Sequence, residues 1–176
     1  MGSWVNYGLG TENRNLPGFV TICPTSLHGG VYNYSSAFLP AAYHGISLGT
    51  PGYPNAPVEN AQFRFTKNTR LNRDQQSLQL DLLREMNRKQ LDETGPDTAL
   101  EGRIHSFELA FRMQRDSAEV LNTSRETAAT KTLYGIDKKE SSNFGMQCLL
   151  ARRFAERGVR FIQVTHSQDR MPQEQW

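Results

Sequence analysis

Apolar residues recur at helical spacing through much of the second half of this chain. In SLQLDLLREMNRKQLDET, Leu78, Leu82 and Met86 recur every four residues with Leu83 beside them, and Arg84, Arg88 and Lys89 fall outside the stripe. A second stripe in DTALEGRIHSFELAFRMQRDSAEVLNT runs through Leu100, Ile104, Phe107 and Phe111 and is extended by Ala118 and Leu121. The TGPD between the two runs predicts a helical hairpin, with Phe107 and Phe111 buried against Leu82 and Met86. A shorter helix over RETAATKTLYG takes Ser124 as its cap and Gly135 as its stop. Another passes through SSNFGMQCLLARRFAERG, where Phe144, Cys148, Ala151 and Phe154 keep helical spacing. Past Gly158 the period changes. Val159, Phe161, Ile162 and Val164 are apolar on both faces, as in an interior strand of an α/β sheet, which needs neighbours on both sides.

The first sixty residues follow other rules. They hold three charged side chains, Glu12, Arg14 and Glu59, but six of the eight prolines and nine of the 14 glycines. Turns, loops and short strands are expected there. LPGFVTICP is the clearest strand, with Phe19, Val20 and Ile22 apolar between prolines. SSAFLPAAYHG predicts a short helix capped by Ser35 or Ser36 and limited by Pro40. ISLGTPGYPNAP reads as an irregular loop of functional or partner-facing type, and YGLG and LHGG read as turns. The expected organisation is one α/β domain: a loop and short-strand region over 1–60, a helical region over 74–158 and a core strand over 159–166.

Charge narrows the function classes without naming one. With 20 Lys+Arg against 18 Asp+Glu, the net charge of +2 implies no strong field for nucleic acid or a membrane surface. A hydrophobic content of 37% fits a globular chain, and no apolar run approaches the roughly 20 residues of a spanning helix. Cys23 and Cys148 lack the paired spacing of a zinc or redox site and read as buried free thiols.

His166 is the leading candidate for chemistry. It follows the last strand at its carboxyl end, where open α/β sheets place ligands, and a neutral imidazole there can hold a divalent metal or move a proton. A strand-capping hydrogen bond is the alternative use of the same residue. Asp169 could join it in a carboxylate–histidine cluster, although SQDRMPQEQ reads as a solvated loop. His28, His44 and His105 show no H-x-x-x-H or H-E-x-x-H spacing and read as surface or hydrogen-bonding residues. No G-x-S-x-G elbow, Walker loop or dinucleotide fingerprint occurs, so no catalytic nucleophile is assigned. Arg103, Arg112 and Arg115 on the second helix, and Arg152 and Arg153 on the fourth, alternate with Glu101, Glu108, Asp116 and Glu156 and predict solvated ion-paired faces.

The order and spacing of MGSW, YGLG, LPGFV, SSAFLPAAYHG, RIHSFELAFRMQ, SRETAATKTLYG and FGMQCLLARRFAERGVRFIQVTH resemble a bacterial family labelled domain of unknown function 1501, of sulfatase-like fold in the alkaline phosphatase superfamily. The resemblance implies a partial alkaline phosphatase-like α/β sandwich and hydrolysis of sulfate or phosphate esters by a divalent metal held at strand ends. It carries over His166 alone, as a rim or metal-site residue. Tyr43-His44-Gly45 stands where the family reads Tyr-Gln-Gly, which argues against His44 as a ligand. The family's nucleophile segment is expected upstream and its acidic and histidine clusters downstream. The chain therefore reads as an inner piece of a longer enzyme, with no metal convincingly bound and no turnover by itself. The implied substrate is a small-molecule or polysaccharide ester, and the implied location is exported, through an N-terminal signal. The alternative is a non-catalytic binding or interaction module using the hairpin and the Gly/Pro loop.

Overall fold

Phe19–Ile22 (β1) is buried along its whole length because it is flanked on both sides by parallel strands and covered on both faces. In this computed structural model, residues 1–24, 30–49, 57–58, 61–63, 66 and 68–165 are described. The strands Ile46–Leu48 (β2) and Phe161–Val164 (β3) pair with β1 in the order β2-β1-β3, with Val20 opposite both Ile46 and Ile162. The pattern-based reading placed residues 46–48 in an irregular loop. Glycines and prolines on either side hid a strand of three residues whose Leu48 is fully buried. β3 is half-buried along its length and, among the described residues, has one strand neighbour where two were expected.

Alternation along β1 divides the molecule into layers. Val20 and Ile22 join the main core with Leu109, Met113, Val120, Leu150 and Phe154 from the helices. Phe19 points to the opposite face, where its ring meets Phe161 edge to face at 5.1 Å. The helix Gly2–Leu9 (α1) lies on that face, and a Cβ at Gly2 would stand 2.6 Å from the Phe161 ring. Glycine permits this approach. This helix was not expected. Its last turn is the YGLG read as a turn, and Gly10, at φ +63°, ends it. The helix predicted from SSAFLPAAYHG is also absent: Ser36 and Leu39 close a turn, and only a short 3-10 turn, Ala41–Tyr43, follows Pro40.

The hairpin forms as the sequence predicts, but its faces differ. Arg73–Thr94 (α2) begins with a capping box between Asn72 and Gln75 and stops at Gly95, φ +85°. Thr98–Leu121 (α3) starts from Asp97, whose carboxylate accepts from the amides of Ala99 and Leu100. Gln76, Ser77, Leu80, Asn87 and Leu91 are the half-buried positions on α2, which buries no residue fully. Of the four residues expected to form the hairpin core, Leu82, Met86 and Phe107 are instead 58–65% exposed, as is Leu78 of the same stripe at 70%, and Phe111 is half-buried. α3 has partners on two sides: its buried positions, Gly102, Leu109, Met113, Ser117 and Val120, form a second stripe. Phe107→Ala should accordingly change stability by less than about 1 kcal/mol in a urea series. A loss near the 3–5 kcal/mol of a packed phenylalanine would restore the buried-stripe reading.

The short helix Ala128–Leu133 (α4) takes its cap from Thr127, not Ser124, through the bond from Thr130 N at 3.1 Å. Ser142–Glu156 (α5) buries Gly145, Gln147, Leu149, Leu150 and Phe154, a stripe shifted from the predicted one. The ion-paired faces form in part, with Arg112 on Glu108, Arg115 on Asp116 and Arg152 on Glu156. Arg153 departs from a solvated role. It donates to the carbonyl oxygens of Val120, Glu119 and Asn122 at 2.7–3.0 Å, satisfying the open end of α3, and also pairs with Glu126. Hydrogen bonds from Arg152 and Arg153 hold the Glu126 carboxyl below the ordinary carboxylate range.

Candidate functional site

All three strands point the same way, so their carboxyl ends share one edge of the sheet. The chain leaves β1 through Cys23 and Pro24, β2 through Gly49 and β3 through Thr165. Cys23 adopts φ +48°, a left-handed conformation that costs a non-glycine residue roughly 1–2 kcal/mol. Its amide donates to Leu48 O at 2.9 Å. Gly49, at φ +84°, turns beside it, and a Cβ there would lie 3.0 Å from Cys23 Sγ. Burial pushes the Cys23 thiol up to about 11, so it stays protonated near neutral pH. Cys148 is a free thiol too, half-buried and likewise raised by burial. Cys23 thus matches the buried thiol expected from sequence, and Cys148 is more open.

In the order β2-β1-β3 the chain passes from β1 to a neighbour on one side and returns to pair on the other, the strand order for which open parallel sheets place their ligands between the ends of β1 and β3. His166 follows Thr165 directly in sequence but, like Asp169 and His28, lies outside the described residues. Among the described residues no three His, Cys, Asp or Glu side chains come together to hold a metal.

A cavity of about 420 Å³ opens at the opposite, amino edge. Leu16, Pro17 and Gly18, which lead into β1, form one part of its wall, and Ala42 and His44, which lead towards β2, another. His105, Leu109 and Arg112 of α3 face them. The segment before β1 is fastened from several directions. Asn13 Oδ1 accepts from the amides of Asn15 and Leu16, and its Nδ2 donates to Arg157 O. Asn15 donates to Asp116 at 2.9 Å, and Arg112 Nε donates to Arg14 O at 2.8 Å. Partial burial, reinforced by the positive charge of Arg112, lowers His105 below the ordinary histidine range.

The sequence reading singled out His44 and His105 only as surface or hydrogen-bonding residues, and the fold brings them to one cavity. It missed Asn6 and Arg14 there and assigned Arg112 to an ion-paired helix face. No local spacing links these positions. Among the described residues no helix is long and apolar enough to cross a membrane. No curated protein and no solved structure matches the chain. The family described as "Protein of unknown function (DUF1501)" matches residues 1–176, and the chain belongs to that family.

Proposed function

We propose that this chain contributes the central strands of a metal-dependent hydrolase of sulfate or phosphate esters, with the ester held at the carboxyl edge of the sheet. The observation that carries this reading is the parallel order β2-β1-β3, which supports a ligand position between the ends of β1 and β3, where Thr165 stands one residue before His166. The sulfatase-like resemblance supplies the chemistry: a bound divalent metal polarises the ester oxygen and activates the attacking group. The described residues do not by themselves form a cradle for that metal. What they supply is a rigid base, with β1 buried on both faces and the left-handed turn at Cys23 fixing the direction in which the chain leaves the strand.

The test uses protein expressed from the complete reading frame, assayed with aryl sulfate and aryl phosphate in the presence of zinc, calcium, magnesium or manganese. Metal-dependent turnover is expected, with His166→Ala lowering it about 10–100-fold or more. Turnover indifferent to His166→Ala would remove His166 from the site. An absence of turnover with every metal would sink the hydrolase reading and leave the non-catalytic interaction protein.

A further inference from the structure

We propose that the cavity at the amino edge of the sheet is a binding site for a small organic acid, its oxyanion group taken between Arg14 and Arg112 and its body against Leu16 and Leu109. This site is remote in topology from the proposed ester crevice, which lies at the other end of the same strands, and it does not rest on the hydrolase reading. Three observations converge on it.

The first is charge. Arg14, Arg112, His44 and His105 line the cavity, and no Asp or Glu does among the described residues. The nearest compensation is partial: Arg112 makes a 3.5 Å contact with Glu108, whose other oxygen is taken by Arg84. The Arg14 guanidinium makes no hydrogen bond or ion pair with any described residue. Planar guanidinium forks match the geometry of carboxylate, phosphate and sulfate oxygens.

The second is Asn6. It is 7% exposed, it lines the cavity, and its carboxamide makes no hydrogen bond among the described residues. Buried amides normally find partners, and one left open towards a cavity is placed to donate to a ligand oxygen. Contact with Gly18 fixes it, since a Cβ at Gly18 would collide with the Asn6 side chain.

The third is size and rigidity. About 420 Å³ exceeds what a bare oxyanion fills, and it falls within the range of small-molecule sites. Leu16, Pro17, Ala42 and Leu109 give the apolar part of the wall. The bonds from Asn13, Asn15 and Arg112 hold the segment carrying Arg14 in place before any ligand arrives.

Titration of the full chain at constant ionic strength, followed by NMR of the histidine and asparagine side-chain signals, tests the proposal with two probes. Benzoate represents an organic acid and sulfate a free ion. Benzoate should bind saturably, shift the His105 and Asn6 signals, and raise the His105 pKa, because an anion offsets the repulsion from Arg112. The titratable and charged groups around His105 are Arg14, His44, Arg112 and Glu108. Arg14→Gln should weaken binding about tenfold or more, while Arg125→Gln, at an exposed arginine outside the cavity lining, should change it less than about twofold. Asn6→Asp, nearly the same shape but anionic, should abolish binding. Arg14 is exposed, so its variant remains informative if Asn6→Asp fails to fold. Sulfate binding as tightly as benzoate would overturn the organic-acid assignment. Absence of saturation with both probes, or equal losses in Arg14→Gln and Arg125→Gln, would overturn the site itself.

Discussion

Gly145→Ala should destabilise the protein by about 3 kcal/mol or more, although the same change in an open helix normally gains about 1 kcal/mol. The sign reverses because α5 passes directly over the chain that leaves α4. A Cβ at position 145 would collide with the carbonyl oxygen of Tyr134, and Ile136 closes the space beside it at 3.3 Å. A backbone oxygen cannot rotate away as a side chain can, so relief requires moving the start of α5 against the Tyr134–Ile136 segment. Gly135 resists such movement: it is held at φ +65°, and its carbonyl accepts from Ser141 Oγ at 2.7 Å. The midpoint of urea unfolding measures the effect. An alanine variant as stable as the parent would show that α5 does not press on Tyr134.

The second large effect is expected at Phe154, where truncation to alanine should cost about 3–5 kcal/mol. Phe154 is fully buried near the end of α5, and its ring packs against Phe63 at 5.7 Å with an interplanar angle of 72°. The same core cluster contains Val20 and Ile22 of β1 and Met113 of α3, so truncation would leave a void in the core that α5 shares with these two elements. Phe154→Leu keeps much of the volume and should lose distinctly less. Calorimetric and denaturant measurements that place Phe154→Ala within about 1 kcal/mol of the parent would contradict the packing of α5 on the sheet.

Helix ends were legible in the sequence where a glycine closes an apolar helical pattern. Gly95, Gly135 and Gly158 all take positive φ where the pattern ends. The buried faces were less legible. α3 has α2 on one side and the core on the other, so two apolar stripes share one helix, and Phe107 belongs to the more conspicuous but more exposed stripe. Spacing cannot say which stripe meets the core, because that depends on neighbours distant in sequence. β2 and α1 escaped notice for a related reason: Gly45, Gly49, Gly2 and Gly8 weaken local propensity, while tertiary packing supplies the stabilisation. The carboxyl edge of the sheet was anticipated from the apolar run before His166. The amino-edge cavity was not, since Asn6, Arg14, His44, His105 and Arg112 come from separate segments that only the folded chain brings together.

The pairing of β1 with β3 governs how this protein must be made. β1 is made before its partner at Phe161–Val164, which follows only about 140 residues later, roughly 7–30 s at typical bacterial and eukaryotic elongation rates. During that interval Val20 and Ile22 lack the α5 residues that cover them, and one edge of β1 is an open template for other chains. The α2–α3 hairpin, built from local contacts, can form while the ribosome is still extending the chain. The pairing of β1 with β3 cannot close until β3 arrives. Folding is therefore a race between completing translation and capture of the waiting edge, and the ordering of the strands fixes which segment needs shielding.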